Sequence, residues 1–158
     1  MVTKTNGTNG GQDAIALLEG QHREVEALFE KFEGLTDRAK ASKKKIADQI
    51  CAALLMHAQI EEEIFYPATR EASKDTEDMI DEAVVEHASA KDLIAQIMEM
   101  DPEDDLYDAK VKVLSEMIEH HVGEEEDEMF PKARELDLDL VALGEEMAMR
   151  ADELQASA

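Results

Sequence analysis

The chain has 158 residues, enough for one domain with its own hydrophobic core and short for two. Its formal net charge of −23 repels phosphate backbones and anionic lipid surfaces, so neither nucleic acid nor a membrane is an expected partner. The single cysteine, Cys51, excludes an internal disulfide and a thiolate metal cluster. The N-terminus lacks an apolar signal segment and no apolar run could span a bilayer, so we expect a soluble cytoplasmic protein.

The composition favours helix throughout. Ala, Glu, Leu, Met and Lys are abundant, aromatic residues make up only 4%, and just seven glycines and three prolines interrupt the chain. No run of alternating β-branched residues predicts a strand. We therefore expect an all-α protein, with a disordered tail over residues 1–12 and one domain over residues 13–158.

Apolar residues at helical spacing predict the first two helices. The first runs from about Asp13, which can cap it, to about residue 33, and Gly34 can end it. Its inward positions are Ile15, Leu18, His22, Val25, Phe29 and Phe32. A basic loop or first helical turn over residues 36–45 leads into the second helix. That helix runs to about Tyr66 and continues for a turn or two beyond Pro67.

The second half of the chain predicts three more helices. The third covers about residues 76–100, and its inward positions are Ile80, Ala83, His87, Ala90, Ile94 and Ile97. Asp101 followed by Pro102 is a start signal for the fourth helix, which reaches Pro131. A short amphipathic helix over about residues 139–154 completes the chain.

A histidine–glutamate motif occurs twice. It reads His57-Ala-Gln-Ile-Glu61 in the second helix and His121-Val-Gly-Glu-Glu125 in the fourth, and each copy ends in an aromatic residue and a proline that closes or kinks the helix. Residues four apart on a helix lie on one face, about 6 Å from each other. Each copy therefore presents one imidazole and one carboxylate side by side.

The motif belongs to a larger internal repeat. The first helix matches the third at an offset of 65, which pairs His22 with His87, and the second matches the fourth at an offset of 64. Two helical hairpins with matching side chains predict an up-down four-helix bundle with approximate twofold symmetry and a short C-terminal helix. One core layer would then contain His22, His57, Glu61, His87, His121 and Glu125.

This layer predicts a metal site, because a buried unpaired carboxylate costs several kcal/mol. Imidazole and carboxylate without thiolate suit iron, and suit manganese or zinc less well. Two carboxylates among six ligands fit a pair of ions that both carboxylates bridge, with positions left open for oxygen, peroxide or nitric oxide. A ferritin-like site would need Glu-x-x-His on two helices, and only Glu19 with His22 fits. Haem held by two histidines would leave the repeated glutamates unexplained.

Residues near the motifs are expected to have lesser roles. His120 points about 100° away from His121, towards the surface. Tyr66 lies nine residues after His57, and we expect it on the opposite side of the helix, at the end of the bundle. The residues after the motif glutamates, Glu62 and Glu126, are mainly solvated but could contact the groups that hold the ligands. The equivalent residues Glu26 and Lys91 could pair across the bundle, or Glu26 could be a further ligand.

Over residues 13–154 the chain resembles the hemerythrin-like, or HHE cation-binding, domains of bacteria. The resemblance is carried by His22, His57-x-x-x-Glu61 ending in Phe65-Tyr66-Pro67, Glu86-His87, and His121-x-x-x-Glu125 ending in Phe130-Pro131. It implies a non-haem, oxo- or hydroxo-bridged di-iron centre within a four-helix bundle. The ligands that it implies are His22, His57, Glu61, His87, His121 and Glu125.

The departures from that family concern function. Oxygen-carrying hemerythrins have a second histidine one turn after the ligand of the third helix, where this chain has Lys91, and an aspartate where it has Glu126. A more open centre favours reaction with oxygen, peroxide or nitric oxide in oxidative or nitrosative stress over reversible oxygen carriage. Whether it turns over as a peroxidase, a catalase or a nitric oxide-reactive enzyme is left open. The alternatives are a metal-dependent sensor or regulatory module, with a protein partner unknown, and iron storage.

Overall fold

A computed structural model describes residues 12–157, and the predicted tail lies outside this range apart from Gln12. Every regular element in the range is helical, which confirms the all-α prediction. The helices are α1 (Ala14–Glu33), α2 (Lys40–Ile60), α3 (Tyr66–Ala72), α4 (Glu77–Glu99), α5 (Tyr107–Glu124), α6 (Phe130–Glu135) and α7 (Leu140–Ser157). Two π-helical turns, Glu61–Phe65 and Glu125–Met129, join α2 to α3 and α5 to α6, and a 3₁₀ turn, Lys74–Thr76, precedes α4. None of these helices is long and apolar enough to cross a membrane.

The ends of α1 follow directly from the sequence. The side chain of Asp13 accepts a hydrogen bond from the backbone N–H of Ala16 at 2.7 Å, as an N-cap residue does. Gly34 stands immediately after the last helical residue. The predicted inward positions of this helix are all buried, which confirms that one apolar stripe faces the core.

The start of α5 differs from the prediction. Asp101 does not cap a helix, because its carboxylate accepts a hydrogen bond from the N–H of Glu103 at 2.8 Å and closes a local turn. The N–H of Asp101 in turn donates to the carboxylate of Asp104 at 3.0 Å. The helix begins only at Tyr107, whose ring is completely buried.

The core consists of two apolar clusters. The first cluster contains Val25, Phe29, Phe32, Ile46, Ala47, Ile50, Cys51, Leu54, Ala90, Ile94, Ile97, Tyr107, Val111 and Leu114. The second contains Ala14, Ile15, Leu18, Ile60, Phe65, Tyr66, Ile80, Ala83, Met129, Phe130, Ala133, Met147 and Ala151. Along α1 and α4 the chain passes from the second cluster to the first. It passes back along α2, and along α5 with the π-helical turn that follows it. The two clusters leave a layer between them, to which the four long helices α1, α2, α4 and α5 contribute one histidine each.

The C-terminal helix α7 packs against α1 and α2 and completes the second cluster with Met147 and Ala151. At Gly144 its backbone comes close to the start of α1. A β-carbon at Gly144 would lie 2.6 Å from the carbonyl oxygen of Gln12 and 2.9 Å from the backbone nitrogen of Ala14. Backbone atoms cannot move aside as a flexible side chain can, so only glycine permits this contact.

We expect Gly144→Ala to destabilise the protein by about 1–3 kcal/mol, because the added methyl group forces α7 away from the start of α1. The free energy of unfolding from urea denaturation measures the effect. The matched control is Gly20→Ala in α1, where a β-carbon would have no neighbour within 4 Å. Alanine there should stabilise the protein by roughly 0.5–1 kcal/mol through its higher helix propensity. Equal stability of the two variants would contradict the close approach of α7.

Candidate metal centre

Four histidines and two glutamates meet in the layer between the two apolar clusters. They are the six residues that the sequence predicts for one core layer: His22, His57, Glu61, His87, His121 and Glu125. The most exposed of them, His57, has 7% of its surface accessible. They form two groups of four whose donor atoms lie within 4.8 Å of one another: His22 with His57, and His87 with His121, each pair together with both glutamates. Glu61 and Glu125 therefore belong to both groups.

The outer nitrogen of every imidazole in the layer contacts an oxygen atom. Nδ1 of His22, His57, His87 and His121 lies 2.7, 2.6, 2.6 and 2.6 Å from oxygen atoms of Glu126, Gln21, Glu62 and Glu86, respectively. A carboxylate or carbonyl oxygen can only accept a hydrogen bond, so each Nδ1 carries a proton and donates it. In the neutral imidazole, Nε2 then keeps a free lone pair, which is the form that binds a metal ion.

Some of the inner donor atoms lie close together without satisfying one another. Nε2 of His87 and Nε2 of His121 are 3.2 Å apart, a contact that sets two lone pairs against each other in the neutral tautomers. Nε2 of His57 lies 3.3 Å from Oε2 of Glu61, yet neither atom has a hydrogen-bond partner. Buried polar atoms without partners are rare in folded proteins and need an explanation. A cation between them would satisfy all of these atoms.

The charge of the layer also indicates that it can bind a cation. Within residues 12–157, every ion pair of Glu61 and Glu125 has a histidine as its partner. Burial acts to lower the pKa of His121, but hydrogen bonds and charges of Glu125 and Glu61 raise it to about 12. Burial acts to raise the pKa of Glu61, but the surrounding histidines hold it well below its usual value. Protons can thus balance the two carboxylates, and a bound cation would displace those protons.

The donor set therefore fits a metal ion. It offers imidazole and carboxylate donors, it holds two negative charges in a buried site, and it contains unpartnered atoms directed at a common centre. Zinc, iron and manganese all accept imidazole and carboxylate ligands.

Tyr66 is placed differently from the prediction. Its hydroxyl group lies inside the layer and donates a hydrogen bond to Glu125 at 2.5 Å, and it is 3.1 Å from a carboxylate oxygen of Glu61. Burial and then the charges of these two glutamates raise the pKa of Tyr66 well above its usual value, so the phenol keeps its proton. The hydroxyl group thus contacts both carboxylates that the two groups share.

A π-helical turn explains this error. Between Glu61 and Phe65 the backbone is wound more widely, and the N–H of Tyr66 bonds to the carbonyl of Glu61, five residues earlier. The extra residue per turn rotates Tyr66 by about 100° relative to a regular helix and brings it round to the centre. The wide turn also lets the helix run on through Pro67, because it relieves the clash of the proline ring with the preceding turn.

The second repeat has the same π-helical turn but a different residue. Phe130 corresponds to Tyr66 at the offset of 64, and its ring stacks on that of His22 with centroids 5.9 Å apart. Phenylalanine has no hydroxyl group to offer, so the centre has a phenol on one side only. This is a departure from the twofold symmetry of the repeats.

The remaining neighbours lie mostly as the sequence indicates. The side chain of His120 is 68% exposed, as predicted. Glu26 pairs with Arg23 on the surface and does not reach the centre, which answers the question of a further ligand. Lys91 also points outwards and bonds to Glu62 at 2.8 Å.

Two residues that contact the histidines were missed. Gln21 and Glu86 immediately precede His22 and His87, yet each bonds to a histidine of the following helix, His57 and His121. The repeat contains the signal that could have found them, because they are equivalent at the offset of 65. Glu62 and Glu126, which are equivalent at the offset of 64, contact His87 and His22, and the sequence had indicated that they could lie near the site.

The four outer contacts are therefore symmetric in position but not in charge. Three histidines donate to a carboxylate, whereas His57 donates to the neutral amide oxygen of Gln21. A carboxylate is the stronger acceptor, and it makes an imidazole a better metal ligand. The group that contains His22 and His57 should therefore bind a cation more weakly than the group that contains His87 and His121.

Replacing Glu125 by Gln should lower metal affinity at least about a hundredfold. This loss is larger than the loss expected when a residue that only contacts a metal ligand is replaced. The variant keeps the shape of the side chain but removes a charge that both groups share. Metal content after dialysis against a chelator measures the effect. The control His120→Ala alters an exposed imidazole next to His121 and should leave the metal content unchanged. If His120 proved necessary and Glu125 dispensable, the helix register would be wrong.

Replacing Gln21 by Glu should raise the affinity of the weaker metal-binding step by about tenfold, because His57 then donates to a carboxylate as the other histidines do. Stepwise competition with a chromophoric chelator resolves the two steps. Gln49→Glu adds the same charge at an exposed position of α2 and serves as the control. An equal effect of the two variants would show that net charge, and not the contact with His57, sets the affinity.

Comparison with known proteins agrees with the geometry of the centre. Residues 13–133 match the Hemerythrin HHE cation binding domain. A crystal structure of a hemerythrin HHE cation binding domain-containing protein from Mycobacterium kansasii superimposes with a TM-score of 0.78 and 26% identity, covering 92% of this chain and 89% of that one.

Two relatives by sequence differ in length. An uncharacterised protein of Mycobacterium tuberculosis is 26% identical over 148 residues, which are 92% of this chain and 89% of that protein. A protein of Nostoc sp. named DNA nickase is 30% identical over 125 residues, but this chain spans only 33% of its length. The similarity to the shorter proteins therefore extends over nearly the whole of both chains. With the family match over most of its length and the buried histidine–glutamate layer, this chain belongs to the hemerythrin HHE cation-binding domain family.

Proposed function

We propose that the protein is a non-haem di-iron protein that binds or reacts with small oxidants in oxidative or nitrosative stress. The proposed architecture is an up-down four-helix bundle, and the proposed ligands are His22, His57, Glu61, His87, His121 and Glu125. One observation carries the proposal: two groups of buried donors share the same two glutamates. Each group, with the two shared glutamates, would hold one of two neighbouring ions.

The choice of iron follows from the donors. Neither group includes a thiolate, and Cys51, which belongs to the first apolar cluster, is not a member of either. Structural zinc sites usually have four ligands and often include cysteine. Imidazole with carboxylate is common for redox-active iron. Manganese and zinc remain the alternatives that metal analysis distinguishes.

A pair of iron ions, when bound, would supply redox chemistry and positions at which small oxidants can bind. The protein's own residues supply the surroundings. The two apolar clusters exclude water from both sides of the layer, and the Nδ1 contacts fix the orientation of the four imidazoles. Tyr66 keeps a proton on its hydroxyl oxygen beside Glu61 and Glu125 and donates it in a hydrogen bond to Glu125.

Protein expressed in iron-replete cells should contain two irons per chain and show near-ultraviolet absorption bands of a bridged ferric pair, since the layer offers two sets of donors. Metal analysis and an optical spectrum test this, and assays with hydrogen peroxide and nitric oxide on the same sample test reactivity. The Glu61→Gln variant, purified in parallel, is the control and should lack the bands. Metal-free wild-type protein with full helix content would refute the proposal. Iron-loaded protein that reacts with neither oxidant would favour the sensor function instead.

A further inference from the structure

A cavity of about 250 Å³ lies beside the histidines of the metal centre. All four histidines form part of its lining, whereas Glu61, Glu125 and Tyr66 do not. The carboxylates and the phenol therefore lie on one side of the centre and the cavity on the other. Any molecule in the cavity would lie next to the ions that the histidines would hold.

The rest of the lining is mostly apolar. Each of the four surrounding helices contributes, with Val25 from α1, Leu54 from α2, Ala90 and Ile94 from α4, and Ile118 from α5. Ala90 lies one turn after His87, and its small side chain leaves most of the cavity beside His87 unfilled. Lys91 and Glu86 also belong to the lining, but their charged groups bond to Glu62 and to Nδ1 of His121, respectively. The cavity thus suits a hydrocarbon group.

Its size exceeds what the smallest oxidants need. A water molecule takes about 30 Å³ of liquid volume, and an engineered apolar cavity of about 150 Å³ in another protein holds benzene. Oxygen, nitric oxide or hydrogen peroxide would leave most of 250 Å³ unfilled. An organic molecule with roughly six to nine carbon atoms would fill it far better.

Access and charge restrict the ligand further. Val85 and His120 belong to the lining and are 65% and 68% exposed, so part of the lining lies at the protein surface. The net charge of −23 opposes the approach of anions. An uncharged organic molecule is therefore favoured over a carboxylate or a phosphate.

We propose that this cavity binds the hydrocarbon body of an uncharged organic hydroperoxide, with the peroxide group directed towards the four histidines. The peroxide group in this proposal rests on the proposed function, since it is the part that would meet the iron ions. The hydrocarbon body rests on the cavity alone. The two parts are therefore testable separately.

The test of the cavity uses protein reconstituted with zinc, which is not redox-active, and cumyl alcohol, the unreactive alcohol that corresponds to cumene hydroperoxide. Isothermal titration calorimetry should show saturable binding. Ala90→Leu places three more carbon atoms in the cavity and should weaken binding at least about tenfold. The matched control, Ala88→Leu, makes the same change at an exposed position of α4 and should bind within about twofold of wild type.

A second variant tests the cavity independently, in case Ala90→Leu fails to fold. Ile118→Phe enlarges a half-buried lining residue of α5 and should also weaken binding, while zinc content stays unchanged. Absence of binding to the wild-type zinc protein, or equal binding by wild type, Ala90→Leu and Ile118→Phe, would overturn the inference.

The iron-loaded protein tests the peroxide group. Its optical spectrum should change faster with cumene hydroperoxide than with hydrogen peroxide at equal concentration, and Ala90→Leu should remove this preference. If iron fails to bind but the zinc protein binds cumyl alcohol, the proposed function fails and the cavity assignment stands. If the iron-loaded protein prefers hydrogen peroxide, the hydroperoxide assignment fails and the proposed function stands.

Discussion

The structure depends on the burial of two carboxylates, Glu61 and Glu125, with which no lysine or arginine of the described residues 12–157 pairs. Their surroundings are imidazole nitrogens and one phenol, and all of these groups lie between two apolar clusters. Removing such charges from water costs several kcal/mol each, and apolar packing cannot return that energy. The fold can tolerate this layer because protons or cations compensate it, and the inward lone pairs of the histidines are suited to cations.

The hydrogen bonds of the four Nδ1 atoms determine how the histidines are oriented for binding a metal ion. Each Nδ1 donates to an oxygen from a neighbouring part of the bundle, so each ring has its orientation and its Nδ1 proton fixed before any ion arrives. Lys91 and Arg23 in turn pair with two of the carboxylates, Glu62 and Glu126, and link the centre to the surface. A site prepared in this way needs little rearrangement when it binds metal.

The approximate twofold symmetry makes the exceptions informative. The two hairpins supply equivalent ligands, equivalent π-helical turns and equivalent outer contacts, which argues for two similar metal positions. They differ where Gln21 corresponds to Glu86 and where Tyr66 corresponds to Phe130. Each exception alters charge or hydrogen bonding in one half of the layer only, so the two groups of donors are chemically distinct although their histidines and glutamates match.

The sequence by itself determined the helical class, the repeat and the six buried residues, because regular helices bury side chains at a fixed spacing and His57 to Glu61 and His121 to Glu125 follow it. It did not determine the position of Tyr66, since nothing in the residues marks a π-helical turn. The start of α5 was also misjudged, because Asp101 can close a turn as readily as cap a helix. The partners of Nδ1 and the cavity beneath the histidines were decided only by the tertiary structure, because they join side chains from separate helices whose rotation and distance no local pattern records.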